Sequence, residues 1–342
     1  MAVLFLNGVA TTIIVVLVWA ASWVTAAASE KEIYGTDDRI DVFQETDPTI
    51  RAMAMGVCAL VSAEYLVDNG DGSYTIVYPE VLPEYLLCED EPFAGQPVLS
   101  FCTGFMVAPQ LVATAGHCII GDDTLDVRIV FGFDMIDAQT APTIVSADNV
   151  YSVDRIVEAT NNGFIDYAIV ETDRPITAPG AAPLTLRTEG IVPNDARLGV
   201  IGHPLGLPKK IGFGAESGIY VNNRLVAWFV ADFDGSHGNS GSPIINQETG
   251  IVEGIYVRST VEDYSISRGC LELNQVGNDD AGQQVVRSVE FAGLLTDDEP
   301  TPSSCAAATK PRFRSSLMDG LLLIVSGTLA ILVRHGKVRV GA

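Results

Sequence analysis

The stretch Thr114–Cys118 (TAGHC) follows a largely apolar run, Phe105–Val112, and places a histidine directly after three small residues. Two other short segments stand out in the same way: Asp166–Val170 (DYAIV) and Gly238–Pro243 (GNSGSP). In chain order they supply a base, an acid and a hydroxyl. A serine hydroxyl is a weak nucleophile, so it needs a base to take its proton and an acid to orient that base. Small residues around the serine also leave backbone N–H groups unobstructed for a developing oxyanion.

The region around these segments, from about Met53 to Leu295, is predicted to be mostly antiparallel β-structure. Short β-branched and aromatic runs are broken by Gly, Pro, Asn and Asp, and no helical period is sustained. Asn69–Gly72 (NGDG) lies between two such runs and indicates a hairpin. The pattern is typical of an all-β sandwich or of barrels.

Together, the three segments resemble those of the trypsin-like (chymotrypsin-fold) serine peptidases, especially the bacterial branch that includes the glutamyl endopeptidases. The blocks follow the family's order, with spacings of 49 and 74 residues between histidine, aspartate and serine. Ile201–Gly206 (IGHPLG) also resembles a turn of that branch. The resemblance covers about Val57–Glu290. It implies two six-stranded antiparallel β-barrels, about 53–175 and 185–295, with the active site between them.

The resemblance assigns a role to each catalytic residue. His117 would act as general base and then general acid, and Asp166 would hold its imidazole. Ser240 would attack the carbonyl carbon, and the backbone N–H groups of Gly238 and Ser240 would form the oxyanion hole. The expected activity is that of a serine endopeptidase on protein or peptide substrates, with no cofactor.

Two other aspartates, Asp154 and Asp173, compete for the role of the acid. Asp166 is preferred because Ala168 and the apolar pair Ile169–Val170 follow it, as the family pattern requires.

The substrate pocket is predicted from three residues. Asp234 stands six residues before Ser240, where trypsin-like enzymes place the acid that selects Arg or Lys; the alternative is a solvent-exposed Asp234 in a polar loop. His237 and Tyr256 are the other candidates for the lining. Glutamyl endopeptidases use a His in the strand after the serine, and Ile255–Val257 has none, which disfavours glutamyl specificity.

Residue Asn239, directly before the serine, departs from trypsin, which has an Asp there that pairs with a newly cut N-terminus. An uncharged amide cannot make that ion pair. Activation by that ion pair is therefore not expected. Residues 29–52 can still be either a propeptide or a packed N-terminal arm.

The six cysteines are expected to form disulfides because the chain reads as an exported protein. The resemblance pairs Cys102 with Cys118 across the histidine loop. Cys58–Cys88 and Cys270–Cys305 are the simplest remaining pairs.

The ends of the chain are apolar. Val9–Val24 carries no charge and precedes Thr25–Ala28 (TAAA), so residues 1–28 are predicted to be a signal peptide, with an uncleaved anchor as the alternative because no Lys or Arg precedes the run. At the other end, an acidic, Pro-rich linker (296–316) is followed by a hydrophobic segment (317–334) and a basic tail (335–342). The hydrophobic segment is predicted to be a membrane anchor or a sorting segment. Positive residues favour the cytoplasmic face, so the peptidase region is expected outside the cytoplasm.

A net charge of −23 excludes a phosphate-tracking nucleic-acid binder. Four scattered histidines and disulfide-like cysteines give no metal-ligand spacing, and the acidic loops Gly121–Asp123 and Asn278–Asp280 match no EF-hand. We therefore expect no metal. The protein is also expected to be a monomer. The alternative function is a catalytically silent binding or scaffold domain at the cell surface. A third possibility is that the same residues act mainly on ester substrates or as a transferase.

Overall fold

Residues 33–295, apart from 82–86, 89, 121–125, 215–217, 260–263 and 277–281, are described by a computed structural model. Their regular secondary structure is almost entirely β. In chain order the strands are β1 Ile33–Tyr34, β2 Ile40–Asp41, β3 Val57–Ser62, β4 Leu66–Asp68, β5 Ser73–Ile76, β6 Glu80–Val81, β7 Pro97–Val98, β8 Cys102–Ala108, β9 Leu111–Thr114, β10 Val127–Phe131, β11 Ile144–Ser146, β12 Val150–Asn161, β13 Asp166–Thr172, β14 Leu198–Gly202, β15 Lys210–Gly212, β16 Val221–Asn222, β17 Trp228–Ala231, β18 Pro243–Asn246, β19 Val252–Arg258, β20 Tyr264–Ser267, β21 Cys270–Leu273, β22 Gln275–Val276 and β23 Gln283–Arg287. The helix α1 spans Pro48–Met55, and short 3-10 turns include Gly116–Cys118 and Pro204–Gly206.

The first barrel is closed by six antiparallel strands in the order β3-β10-β12-β13-β9-β8. Alternate side chains of these strands fill its interior, among them Leu60, Phe105, Ile129 and Ile169, all of which are buried. Closure pairs every strand on both sides and leaves no open edge. The predicted first barrel is confirmed.

The second half of the described chain forms one eight-stranded antiparallel sheet in the order β16-β17-β23-β19-β18-β14-β15-β2. Its core includes Phe229, Phe233, Ile244 and Tyr256. The predicted second six-stranded barrel is not confirmed: the region contributes seven strands, β14–β19 and β23, to a sheet rather than a closed barrel, and β2 of the N-terminal segment adds an eighth beyond β15.

The N-terminal segment is packed onto that sheet over its described part. Ile33 and Tyr34 are buried, and β2 pairs with β15. The buried Lys210 ammonium bonds Asp41 at 2.6 Å and Gln96 at 2.7 Å, although burial still lowers its pKa to about 8. Helix α1 then begins at an Asp47 N-cap and leads into β3.

Two disulfides join described cysteines: Cys102–Cys118, as predicted, and Cys88–Cys270. The predicted pairs Cys58–Cys88 and Cys270–Cys305 are wrong. A backbone hydrogen bond of 2.9 Å from Cys88 to Leu271 brings two segments 182 residues apart into register, whereas Cys58 is buried in the first barrel. Burial raises the pKa of the Cys58 thiol to about 12, so it stays protonated.

The predicted signal peptide (1–28), linker (296–316), hydrophobic segment (317–334) and basic tail (335–342) lie outside the described residues, as do Gly121–Asp123 and Asn278–Asp280. Among the residues that the structure describes, no helix is both long and apolar enough to cross a membrane.

Candidate active site

The histidine turn follows directly from the end of β9. Its 3-10 turn begins at Gly116, where an added Cβ would lie 2.0 Å from the carbonyl oxygen of Thr160 and 2.9 Å from that of Tyr167. Only glycine allows this close approach to β12 and β13. The Cys102–Cys118 disulfide ties the end of the turn to β8. His117 is thereby held against the first barrel with 35% of its side chain exposed.

The carboxylate of Asp166, the first residue of β13, holds His117 through both of its oxygens. Oδ1 accepts the backbone N–H of His117 at 3.0 Å, and Oδ2 lies 2.9 Å from Nδ1. This contact assigns the proton to Nδ1 and leaves Nε2 as the basic nitrogen.

The Asp166 residue is 2% exposed, so its charge needs compensation. Burial acts to raise the pKa of the carboxyl, but hydrogen bonds and charge from His117, with charge from Arg258, lower that pKa below its ordinary value. The acid is therefore ionised at neutral pH.

The competing acids lie elsewhere. Asp154 is exposed on β12. Asp173 accepts the backbone N–H of Ser152 at 3.2 Å and pairs with Arg174. Neither contacts His117 among the residues that the structure describes, whereas Asp166 does.

The serine turn packs against the strands that lead into the histidine turn. The carbonyl of Ser240 accepts the N–H of Thr103 at 2.8 Å, and the Cys118 Sγ lies 3.7 Å from the same oxygen. Gly241, at φ +93°, is so close that an added Cβ would lie 1.9 Å from the Thr103 carbonyl oxygen and 2.3 Å from the Thr114 hydroxyl. The half-buried Ser240 thus contacts, through its carbonyl, the cysteine that directly follows His117.

The orientation of the Gly238 N–H follows from its peptide plane. The preceding carbonyl, that of His237, accepts the N–H of Leu205, and in a trans peptide the N–H points the opposite way. Gly238 has φ +85°, and an added Cβ would lie 2.4 Å from the carbonyl oxygen of His203. A residue with a side chain would be strained here.

The Ser240 N–H is fixed in the same manner, because the carbonyl of Asn239 accepts the N–H of Ser242 at 2.8 Å. Within the described part of the chain, neither the Gly238 nor the Ser240 N–H donates to a protein acceptor.

The three predicted pocket residues differ in environment. Asp234 is fully buried, and its carboxylate accepts the N–H of Tyr34 at 2.8 Å and of Asp38 at 3.5 Å. Tyr256 is buried in the core of the eight-stranded sheet, edge-on to Phe233. His237 is exposed beside the serine turn.

A ring nitrogen of His117 and the sulfurs of Cys102 and Cys118 lie within 4.8 Å of one another. The two sulfurs are bonded to each other, so they offer no thiolate to a metal.

Comparison with known proteins finds a peptidase family that resembles part of the chain. Residues 102–255 match the model of the trypsin-like peptidase domain. This part of the chain is similar to trypsin-like peptidase domains. This confirms the resemblance inferred from the three sequence segments.

Among individual proteins, the chain is similar to Brachyurin of Leptuca pugilator, with 29% identity over 119 residues, which is 33% of this chain and 48% of Brachyurin. The chain thus spans about half the length of this curated relative. Two solved structures are also similar. One is a Glu endopeptidase in complex with MPD (15% identity, TM-score 0.42, covering 77% of this chain and 98% of that one). The other is the active form of the Rv3671c protease from M. tuberculosis (18% identity, TM-score 0.39, covering 78% and 87%).

Thr103 is a residue of the peptidase domain that the sequence patterns did not reveal. Its buried hydroxyl donates to the carbonyl of Gly238 at 2.8 Å and accepts the N–H of His203 at 3.0 Å. The hydroxyl therefore joins β8 to the turn that contains Gly238. A lone threonine in a strand gives no sequence signal for this role.

We expect Thr103→Val to lower kcat about tenfold and leave KM within about twofold. The isosteric change leaves two buried polar groups unpaired, at about 1–3 kcal/mol each, and frees the turn that carries one oxyanion donor. The control is Thr172→Val. It removes a different buried hydroxyl, that of Thr172 on β13, which donates to the Arg174 carbonyl at 2.7 Å. Steady-state kinetics and melting curves of both variants are the measurement. Equal kcat losses in the two would contradict the assignment.

A second expectation concerns Asp234 and pH. Burial raises the pKa of its carboxyl well above the ordinary value, against the opposing charge of Arg39. An acid with a raised folded pKa stabilises the fold fully at low pH, and that stability is lost as pH rises from about 4 through the folded pKa.

Asp234→Asn keeps an acceptor for the Tyr34 N–H but cannot ionise. We expect its Tm to match wild type near pH 4 and to exceed it by about 2 °C or more at pH 8. The exposed Asp195→Asn serves as control. A lower Tm for Asp234→Asn at both pH values would show that the carboxylate charge is needed.

Proposed function

We propose that the protein is an exported serine endopeptidase that hydrolyses peptide bonds through Ser240, His117 and Asp166. The observation that carries the proposal is the double contact of the buried Asp166 carboxylate with the N–H and the Nδ1 of His117. A surface histidine has no need of a buried acid bound to both groups. The adjacent serine turn supplies the nucleophile that such a base serves.

In the proposed reaction, the Ser240 Oγ attacks the substrate carbonyl carbon while Nε2 of His117 takes the hydroxyl proton. Asp166 stabilises the imidazolium that forms and keeps its proton on Nδ1. The N–H groups of Gly238 and Ser240 face the oxyanion, and each such donor stabilises the transition state by about 3–4 kcal/mol.

Collapse of the tetrahedral intermediate breaks the C–N bond, and His117 gives its proton to the departing amine. The acyl group is then esterified to Ser240. A water molecule, deprotonated by His117, attacks the ester and releases the acid. The serine regains its proton from the imidazolium, so the site returns to its starting state.

Export is supported by the disulfides Cys102–Cys118 and Cys88–Cys270, because such bonds persist in oxidising compartments. The proposal includes cleavage of a signal peptide at 1–28 and membrane attachment or sorting through 317–334, with the peptidase domain outside the cytoplasm as a monomer. Of the predicted pocket residues, the exposed His237 is the one we propose to contact substrate.

The proposal is tested with the secreted, disulfide-bonded protein and a library of internally quenched peptides. We expect cleavage at internal peptide bonds, with new termini identified by mass spectrometry. Heating above the melting temperature should abolish it. No cleavage of any member by folded protein would count against an endopeptidase and favour the silent binding domain.

A further inference from the structure

A β-bulge near the end of β19 changes the direction of Arg258. Up to this point side chains alternate: Ile255 and Val257 lie in the core cluster shared with the first barrel, and Tyr256 lies in the core of the eight-stranded sheet. Regular alternation would send Arg258 to the same side as Tyr256. The pairing with β23 shifts at this point: Tyr256 pairs with Val285 and Arg258 pairs with Gln284. Two residues along β19 therefore correspond to one residue along β23. A bulge of this kind moves the following side chain to the other face.

The bulge places the guanidinium of Arg258 at the catalytic acid. Its Nη2 lies 3.5 Å from Oδ2 of Asp166, the same oxygen that faces Nδ1 of His117. The Arg258 side chain is 41% exposed and the Asp166 side chain 3%. One partner therefore remains hydrated while the other is buried.

The charge balance around Asp166 depends on this contact. His117 approaches from the histidine turn and Arg258 from β19, while the residue opposite on β12, Asn161, is uncharged. Burial, together with the charges of the nearby acids Glu158 and Glu290, raises the pKa of Tyr167. A histidine that serves as base must be neutral before the reaction. Among the described residues, Arg258 is then the permanent cation beside the buried carboxylate.

We propose that Arg258 is a positioning residue: its guanidinium keeps Asp166 charged and oriented toward His117 while the imidazole is neutral. The inference rests on the proposed function, because it acts through the acid of that triad. Burial of Asp166 favours its protonated form, and a protonated acid cannot stabilise the imidazolium. Arg258 opposes that tendency, most importantly at low pH.

The test compares Arg258→Gln, Arg258→Lys and the control Arg155→Gln in the full secreted protein. Arg155 pairs with Glu171 at the far end of β13, so its loss removes a surface ion pair remote from the triad. We expect Arg258→Gln to lower kcat on the order of tenfold at pH 7, with KM within about twofold, and the loss to grow as pH falls to 5. Lysine should restore most of the activity, and Arg155→Gln should match wild type.

A second readout needs no turnover. In protein with 15N-labelled histidine, the proton between Nδ1 of His117 and Asp166 should give a low-field resonance. As the pH is lowered, this resonance should disappear at a higher pH in Arg258→Gln than in wild type. An inactive wild type would contradict the proposed function, and the resonance would still report on Arg258. An unshifted resonance and pH profile, a change in KM alone, or a pH-independent loss with a lowered Tm would each overturn the positioning role.

Discussion

Ser240→Ala is expected to lower kcat/KM for peptide hydrolysis by at least about 10,000-fold, because the variant has no hydroxyl to form the acyl-enzyme. The backbone contacts of the serine turn involve the Ser240 carbonyl and the Gly241 N–H, so the fold should be unaffected. Kinetics with a quenched peptide and a melting curve check both statements.

The matched control is Ser236→Ala, four residues earlier on the same loop. The Ser236 hydroxyl is buried and has no hydrogen-bond partner in the part of the chain that the structure describes. Its removal should change kcat/KM by no more than about threefold, since a surplus buried hydroxyl contributes little to stability. Retained activity in Ser240→Ala would assign the nucleophile elsewhere.

Asp166→Asn is expected to lower kcat by about 10,000-fold near pH 7. The amide can present its NH2 group to Nδ1 of His117, which then carries its proton on Nε2 and cannot act as base. The side chain has nearly the same volume, so packing in the first barrel is retained. The measurement is kcat for a quenched peptide.

Asp154→Asn and Asp173→Asn are the controls, because both residues compete for the role of the acid in the sequence. Both residues are exposed, and Asp173 is bound to Ser152 and Arg174 instead of His117, so we expect kcat values within about twofold of wild type. A large loss in either control together with an active Asp166→Asn would reverse the assignment.

The three segments that we propose to carry the triad could be recognised in the sequence because their turns demand particular residues locally. Gly116 is forced by a carbonyl 2.0 Å from its added Cβ, and Gly241 by another at 1.9 Å. Such glycines mark the turns around the base and the nucleophile within a few residues. The β-structure of the first barrel was predictable from its short β-branched and aromatic runs, such as Val127–Phe131 of β10.

Long-range pairings were not predictable from local pattern. Cys88 forms its disulfide with Cys270 rather than with Cys58. The segments of Cys88 and Cys270, which are distant in the chain, are adjacent and share the hydrogen bond from the Cys88 N–H to the Leu271 carbonyl. The extra strand β2 and the burial of Asp234 have the same origin: Tyr34, 200 residues away, donates to its carboxylate. A polar loop sequence alone gives no indication that a distant segment covers it.

Arg258 shows a further limit. Nothing distinguishes it in the sequence from an exposed charge at a strand end, because its direction depends on one extra residue in β19 relative to β23. Bulges depend on how two strands align. They become visible only when the sheet is assembled.

The most direct test of the account is whether Ser240 is an activated nucleophile. The secreted protein and Ser240→Ala are treated with a fluorophosphonate probe, and intact mass and a peptide map are recorded. The account predicts a single adduct on Ser240 of the folded wild type and none on the variant. A folded wild type that forms no adduct, or an adduct that persists in Ser240→Ala, would contradict it.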